Sequence, residues 1–124
     1  MRIGELAGRT GVSVRSLRYY EEQGLLASSR SASGQRHYTG GDAERVALIQ
    51  RLYAAGLSSR TIVGLLPCVD APSEENSDAS LLRMEEERER LSRHIAELLH
   101  TRDTLDGVIA SARAYREGQA TQPC

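Results

Sequence analysis

Apolar positions recur along this chain with two helical periods and one interruption. Ile3, Leu6 and Ala7 follow helical spacing, and Gly11 supplies a turn residue that tolerates positive φ. Ser13 is placed as the N-cap of a second helix, on which Val14 and Leu17 point inward and which Gly24 closes at a C′ position. A helix, a glycine-containing turn and a capped second helix make a helix-turn-helix layout.

From Ala27 to Thr39 the pattern lapses into Ser, Gly and Arg. Two short strands, 28–31 and 35–38, are predicted around a Ser33-Gly34 turn. So few of these residues could be buried that the hairpin reads as a surface wing. Helical spacing then returns. Thr39 and Asp42 form a capping box, and the helix that follows runs to about Ala55 and buries Val46, Ile49 and Tyr53. Gly56 ends it. Ser58 caps a further helix through Leu66, limited by Pro67. The prolines, acids and serines that follow predict a linker over 69–77, after a first domain of residues 1–68.

The longest element comes last, over 78–116, with a flexible tail expected at 117–124. Leu81, Met84, Arg88, Leu91, Ile95, Leu98, Arg102, Leu105, Ile109 and Ala112 alternate spacings of three and four. This is a coiled-coil seam of about four heptads, with arginine at two seam positions. At 1.5 Å per residue the helix spans roughly 55 Å. A second copy of the chain covers such a seam most simply, through Leu91, Ile95, Leu98, Leu105 and Ile109. Folding back on the first domain is the alternative. The seam arginines can snorkel or pair with neighbouring glutamates.

Composition sharpens this reading. The 124 residues allow one modest core and an extension. The net charge of −1 hides a division. Nine arginines face five acids up to Cys68, whereas seven arginines face twelve acids from Val69 onward. Such asymmetry points to a polyanion partner for the first half. Lysine, phenylalanine and tryptophan are absent, so Leu, Ile, Val, Ala and Tyr must build the core. No apolar run reaches the ~20 residues of a membrane span, and no signal-peptide pattern opens the chain. A cytoplasmic protein with no membrane partner is expected. The two cysteines, Cys68 and Cys124, are no disulfide framework.

The chemistry lies on the second helix and the wing. Arg15, Ser16, Arg18, Tyr19 and Tyr20 flank the inward-facing Val14 and Leu17, and Ser13 precedes them; the wing adds Arg30, Arg36 and Tyr38. Guanidinium groups can bond phosphate oxygens or the O6/N7 edge of guanine, and hydroxyls fix register on phosphates. Basic groups interleaved with tyrosines suit double-stranded DNA better than a small ligand. Taken singly, each could equally be a solvated arginine or a core tyrosine.

At this point the sequence resembles a known family. Ile3-Gly-Glu-Leu-Ala7 and Thr10-Gly-Val-Ser-Val-Arg-Ser-Leu-Arg-Tyr-Tyr-Glu-Glu-Gln-Gly-Leu-Leu26 closely resemble the opening of the bacterial MerR regulators, and Ser33-Gly-Gln-Arg-His-Tyr38 is similar to their wing. The resemblance is dense over residues 1–66 and extends to the long helix by pattern. It implies a mainly α fold, a winged helix-turn-helix followed by a long dimerisation helix that forms an antiparallel coiled coil. It also implies a homodimer on a palindromic promoter operator, which an effector switches by bending and untwisting the spacer for RNA polymerase, at an elastic cost that phosphate contacts offset. By position, Arg15 and Arg18 would face the groove, Ser13, Tyr19 and Tyr20 would lie near phosphates, and Arg36 and Tyr38 would anchor the wing. Gln35 departs from the tyrosine common at its place.

No cofactor is expected, and the effector is left unidentified. The thiolate pair of metal-sensing members is missing: Asp78, Ala79 and Ser80 stand at the first place and residues 112–116 at the second. Cys68 reads as a small buried side chain, as a sensor thiol for an oxidant or electrophile, or as a soft-metal ligand with Cys124 of another subunit. His94 and His100 lie about 240° apart around a helix, too far for a shared ligand. An enzyme would need a nucleophile–base or carboxylate pair, and none is apparent. A monomeric DNA-bending protein would leave the long seam unexplained, and a coiled-coil adaptor would leave the arginine–tyrosine helix unexplained.

Overall fold

In the computed structural model, which describes residues 1–118, each capping signal starts a helix. Helix α1 spans Ile3–Thr10 and ends at Gly11, whose φ of 74° closes the turn. Ser13 accepts a hydrogen bond from the amide of Ser16 and starts α2, Val14–Glu22. Gly24, at φ 76°, then turns the chain so that Leu25 and Leu26 enter the core. The wing is a two-stranded antiparallel ribbon of β1, Ser29–Arg30, and β2, Arg36–His37. Its ladder is shorter than the expected strands. Gly34, at φ 82°, takes the left-handed residue of the turn.

The capping box at Thr39 and Asp42 is fully formed and opens α3, Gly40–Ala54. Ser58 accepts from the Thr61 amide and opens α4, Ser59–Leu65. The linker expected over 69–77 is largely helical instead. Pro67 starts a short helix α5, Pro67–Asp70, where its missing amide proton and fixed φ suit a first helical position. The long helix α6 then spans Glu74–Gly118, beginning before the expected Asp78 and absorbing the first two residues of the expected tail. Ser73 accepts from the Asn76 amide at 3.0 Å, and Glu74 and Glu75 sit in the first turn, where carboxylates stabilise a helix start. Residues 119–124, with Cys124, lie outside the described residues.

Residues 1–83 form one compact unit, and α6 from Met84 onward forms a second. In the first, α1 packs on α2 and α3, and α3 on α4. Leu6, Leu17, Leu25, Val46, Ile49 and Ile62 are fully buried at its centre. Burying each such side chain contributes about 1.5–3 kcal/mol before conformational entropy is counted. Tyr53 packs against this core only in part, its ring stacked on Tyr20 at 5.8 Å. Arg45 ties three segments together: its Nε donates to the Leu25 carbonyl at 3.0 Å, and its guanidinium forms a two-point pair with Asp70 of α5. Ser80 is buried at the start of α6, and Arg83 donates to Thr61 Oγ1 at 3.3 Å.

In the second unit, Leu91, Ile95, Leu98, Leu105 and Ile109 are 40–56% exposed along one stripe. Leu99 and Val108 widen that stripe. No helix among the described residues is long and apolar enough to cross a membrane.

Candidate nucleic-acid interface

Helix α2 sorts its side chains by face. Leu17 is buried beneath it and Val14 half-buried, and this leaves Arg15, Arg18 and Tyr19 exposed. Ser13 fixes the start of the helix twice over, through the Ser16 amide and by donating its hydroxyl to Ser16 Oγ at 3.0 Å. Ser16 is therefore half-buried and engaged in the cap. Tyr19 projects from the same surface with its hydroxyl 3.3 Å from Ser59 Oγ, at the start of α4. The second helix of the motif is thus braced by α4 while its guanidinium groups stay in solvent.

The wing comes up beside this face. Arg18 of α2 and Arg36 of β2 line one open groove of about 590 Å³, together with Glu21 and Glu22. Val14, Arg15, Arg18, Tyr19 and Glu22 line a second of about 590 Å³. On the far side of the wing, Arg2, Arg30, Gln35 and Arg36 share a third groove of about 680 Å³ with Glu5. Arg30 donates from Nη1 to the Gly34 carbonyl at 2.8 Å, which holds it over the turn. Arg2 extends the basic surface; as a single arginine ahead of the first helix it carries no sequence signal of such a place.

Two of the expected surface residues belong to the core. Tyr20 is 5% exposed, with its hydroxyl accepting from Gln50 of α3. Tyr38 is 2% exposed; its backbone amide donates to the Met1 carbonyl at 2.7 Å and its hydroxyl donates to Glu21. Burial pushes both phenols above the usual 10.0; the Gln50 bond opposes this at Tyr20, and the Glu21 bond reinforces it at Tyr38. Tyr20 was expected near phosphates and Tyr38 among the DNA-binding residues of the wing, and burial instead gives both rings to the core. A chain without phenylalanine or tryptophan fills its larger core sites with tyrosine and must find a partner for each hydroxyl. Through its hydroxyl, Tyr38 links the residue after β2 to α2.

Glu21 is the residue that sequence reasoning passed over. Its carboxylate accepts from Tyr38 and lies 3.1 Å from Arg36 Nη1, so one side chain of α2 holds two of β2 and the residue after it. Cys68 is a free, half-buried thiol in α5, neither fully buried nor fully open. Among the described residues no three His, Cys, Asp or Glu side chains gather closely enough to hold a metal ion.

Helix, turn, braced second helix and basic wing together form a surface that can bind a polyanion and present guanidinium groups to base edges. Comparison with known proteins agrees. Residues 1–67 match the MerR HTH family of regulatory proteins. The chain is 37% identical over 110 residues to an HTH-type transcriptional regulator of Pseudomonas aeruginosa, covering 88% of this chain and 83% of that protein. A MerR family transcriptional regulator from Listeria monocytogenes is similar in structure, with a TM-score of 0.64 at 25% identity over 97% of this chain and 88% of that one. So is HiNmlR, a MerR family regulator lacking the sensor domain and solved bound to promoter DNA, with a TM-score of 0.59 at 25% identity over 94% of this chain and 93% of that one. The chain belongs to the MerR HTH family and is a DNA-binding transcription regulator rather than an enzyme.

Proposed function

We propose that the chain works in the bacterial cytoplasm as a homodimer on a palindromic promoter operator, joined through an antiparallel coiled coil of α6. The observation that carries this is the exposed apolar stripe of Leu91, Ile95, Leu98, Leu105 and Ile109, which continues at heptad spacing beyond the first compact unit. Water disfavours such a stripe, and a second copy offers the same stripe in return. Two heads follow from two copies, and a two-fold dimer reads a palindrome.

Each head would place Arg15 and Arg18 in the major groove, with Ser13 and Tyr19 near the backbone and Arg30 at a flanking phosphate. An effector would then act by biasing the dimer toward a form that bends and untwists the promoter spacer, so that RNA polymerase meets both promoter elements. The promoter-bound state of HiNmlR supports the DNA part of this reading.

Footprinting of the purified chain on its own upstream region tests it. Protection of a palindrome between the −35 and −10 elements of an over-long spacer is the expected result. Protection confined to a site outside the spacer would replace untwisting with simple repression, and the absence of any specific protection would remove the operator reading.

A further inference from the structure

The register of the wing sets two like charges against each other. Arg30 of β1 and Arg36 of β2 are direct partners across the antiparallel pair. Like charges in that position repel and weaken the pair. Here the two guanidinium groups are drawn apart, Arg30 to the Gly34 carbonyl and Arg36 to the carboxylate of Glu21. Glu21 is only 15% exposed, against 46% for Arg36, and it also takes the hydroxyl proton of the buried Tyr38. It is thus the acceptor through which the second helix holds the wing, from beneath by Tyr38 and from the surface by Arg36.

We propose that Glu21 is a positioning residue of the DNA-reading head, and that its carboxylate keeps Arg36 as a strut of the wing rather than as a phosphate contact. This rests on the DNA-binding reading and departs from the expectation that Arg36 meets DNA. A half-buried carboxylate cancels the charge that Arg36 would otherwise bring to the backbone. The wing then adds little sequence-independent affinity and keeps one pitch beside α2, and discrimination between operator and random duplex is left to Arg15 and Arg18. Without the carboxylate, Arg36 is free to reach a phosphate on any sequence.

Counterion release separates the two roles, because the slope of log K against log salt steepens by about 0.9 for each phosphate neutralised on duplex DNA. The whole 124-residue chain is titrated over a range of salt concentrations on a duplex selected by it from a random pool, and on an unselected duplex. Glu21→Gln keeps an acceptor for Tyr38 and removes the charge. The slope should steepen by about 0.9 per head, with a several-fold fall in the ratio of selected to unselected affinity. Arg36→Ala should leave the slope unchanged. Because Arg36 is half-exposed, this variant keeps the test readable if Glu21→Gln folds poorly.

An Arg36→Ala slope flatter by about 0.9 per head would overturn the proposal, as would a Glu21→Gln slope equal to wild type. Arg18→Ala reports separately on the DNA reading. It should weaken binding to the selected duplex by about tenfold or more, the order expected for a base-edge contact. If it leaves that affinity intact, the placement of α2 in the groove fails, whatever the wing does.

Discussion

At the scale of single residues, the exposed basic face and the core alternate within one turn of α2. Arg18 and Tyr19 face solvent, Leu17 and Tyr20 do not, and Glu21 sits at the boundary. The arginines were legible in the sequence because charge beside an apolar stripe has one place to go. Tyr20 and Tyr38 were not, because a tyrosine satisfies either a surface or a core, and the partners that decide the matter, Gln50 and Glu21, are distant in sequence. The same holds for Arg45 and Asp70, which are 25 residues apart. The Arg45 bond holds the Asp70 carboxyl below its ordinary 3.8. A depressed carboxylate stabilises the fold fully above its unfolded value and loses that contribution as pH falls through the folded one. Asp70→Asn should therefore lower the melting temperature slightly at pH 7, by the equivalent of at most about 1 kcal/mol for so exposed a pair. The gap from wild type should close as the buffer is taken below pH 3.8. A gap of unchanged size in acid would show that the pair contributes nothing through charge.

At the scale of elements, local signals did most of the work. Ser13, Thr39 with Asp42, and Ser58 each cap the helix they were expected to cap, and Gly11, Gly24, Gly34 and Gly56 all adopt positive φ. Such signals are legible because the first amides of a helix need an acceptor within three residues. Helix α5 escaped because two prolines and several polar residues resemble a linker, although Pro67 is also well suited to begin a helix. The true start of α6 was written in Ser73, Glu74, Glu75 and Asn76, and was hidden by the same polar run. The caps also make a prediction. Thr39→Ala removes the acceptor of the Asp42 amide and should destabilise the chain by about 1 kcal/mol, whereas Thr39→Gly should cost only about a few tenths. Thermal melts followed by circular dichroism compare the two, and equal losses would show that the side chain is not the cap.

At the scale of the whole molecule, the basic first half and the acidic second half treat their apolar side chains differently. The first unit buries Leu6, Leu17, Leu25, Val46, Ile49 and Ile62 in a core of its own. The second exposes Leu91, Ile95, Leu98, Leu105 and Ile109, the stripe on which the proposed dimer rests. Replacing both Leu91 and Ile95 with Asp puts two carboxylates in the middle of the seam, at a cost no coiled coil of this length absorbs. Sedimentation should then find a monomer, with lower helicity and far weaker binding to a palindrome than the wild-type chain shows. A dimer that survived the change would remove the seam from the interface. Heptad spacing made this surface legible in the sequence, whereas the boundary between the two units at Arg83 followed no local signal, because it falls inside the continuous helix α6.

The division of labour on α2 bears on how such a protein can change over generations. Arg15 and Arg18 are exposed, and neither fills space in the core, whereas Leu17 and Tyr20, on the same short helix, are buried in it. Surface replacements of that kind shift stability by only about 0.5 kcal/mol. If those two arginines meet the bases as proposed, a lineage can alter the letters its promoter must carry without first acquiring stabilising changes elsewhere. Duplicate copies of the gene could part company in their targets by drift at two codons, the scaffold beneath remaining the same.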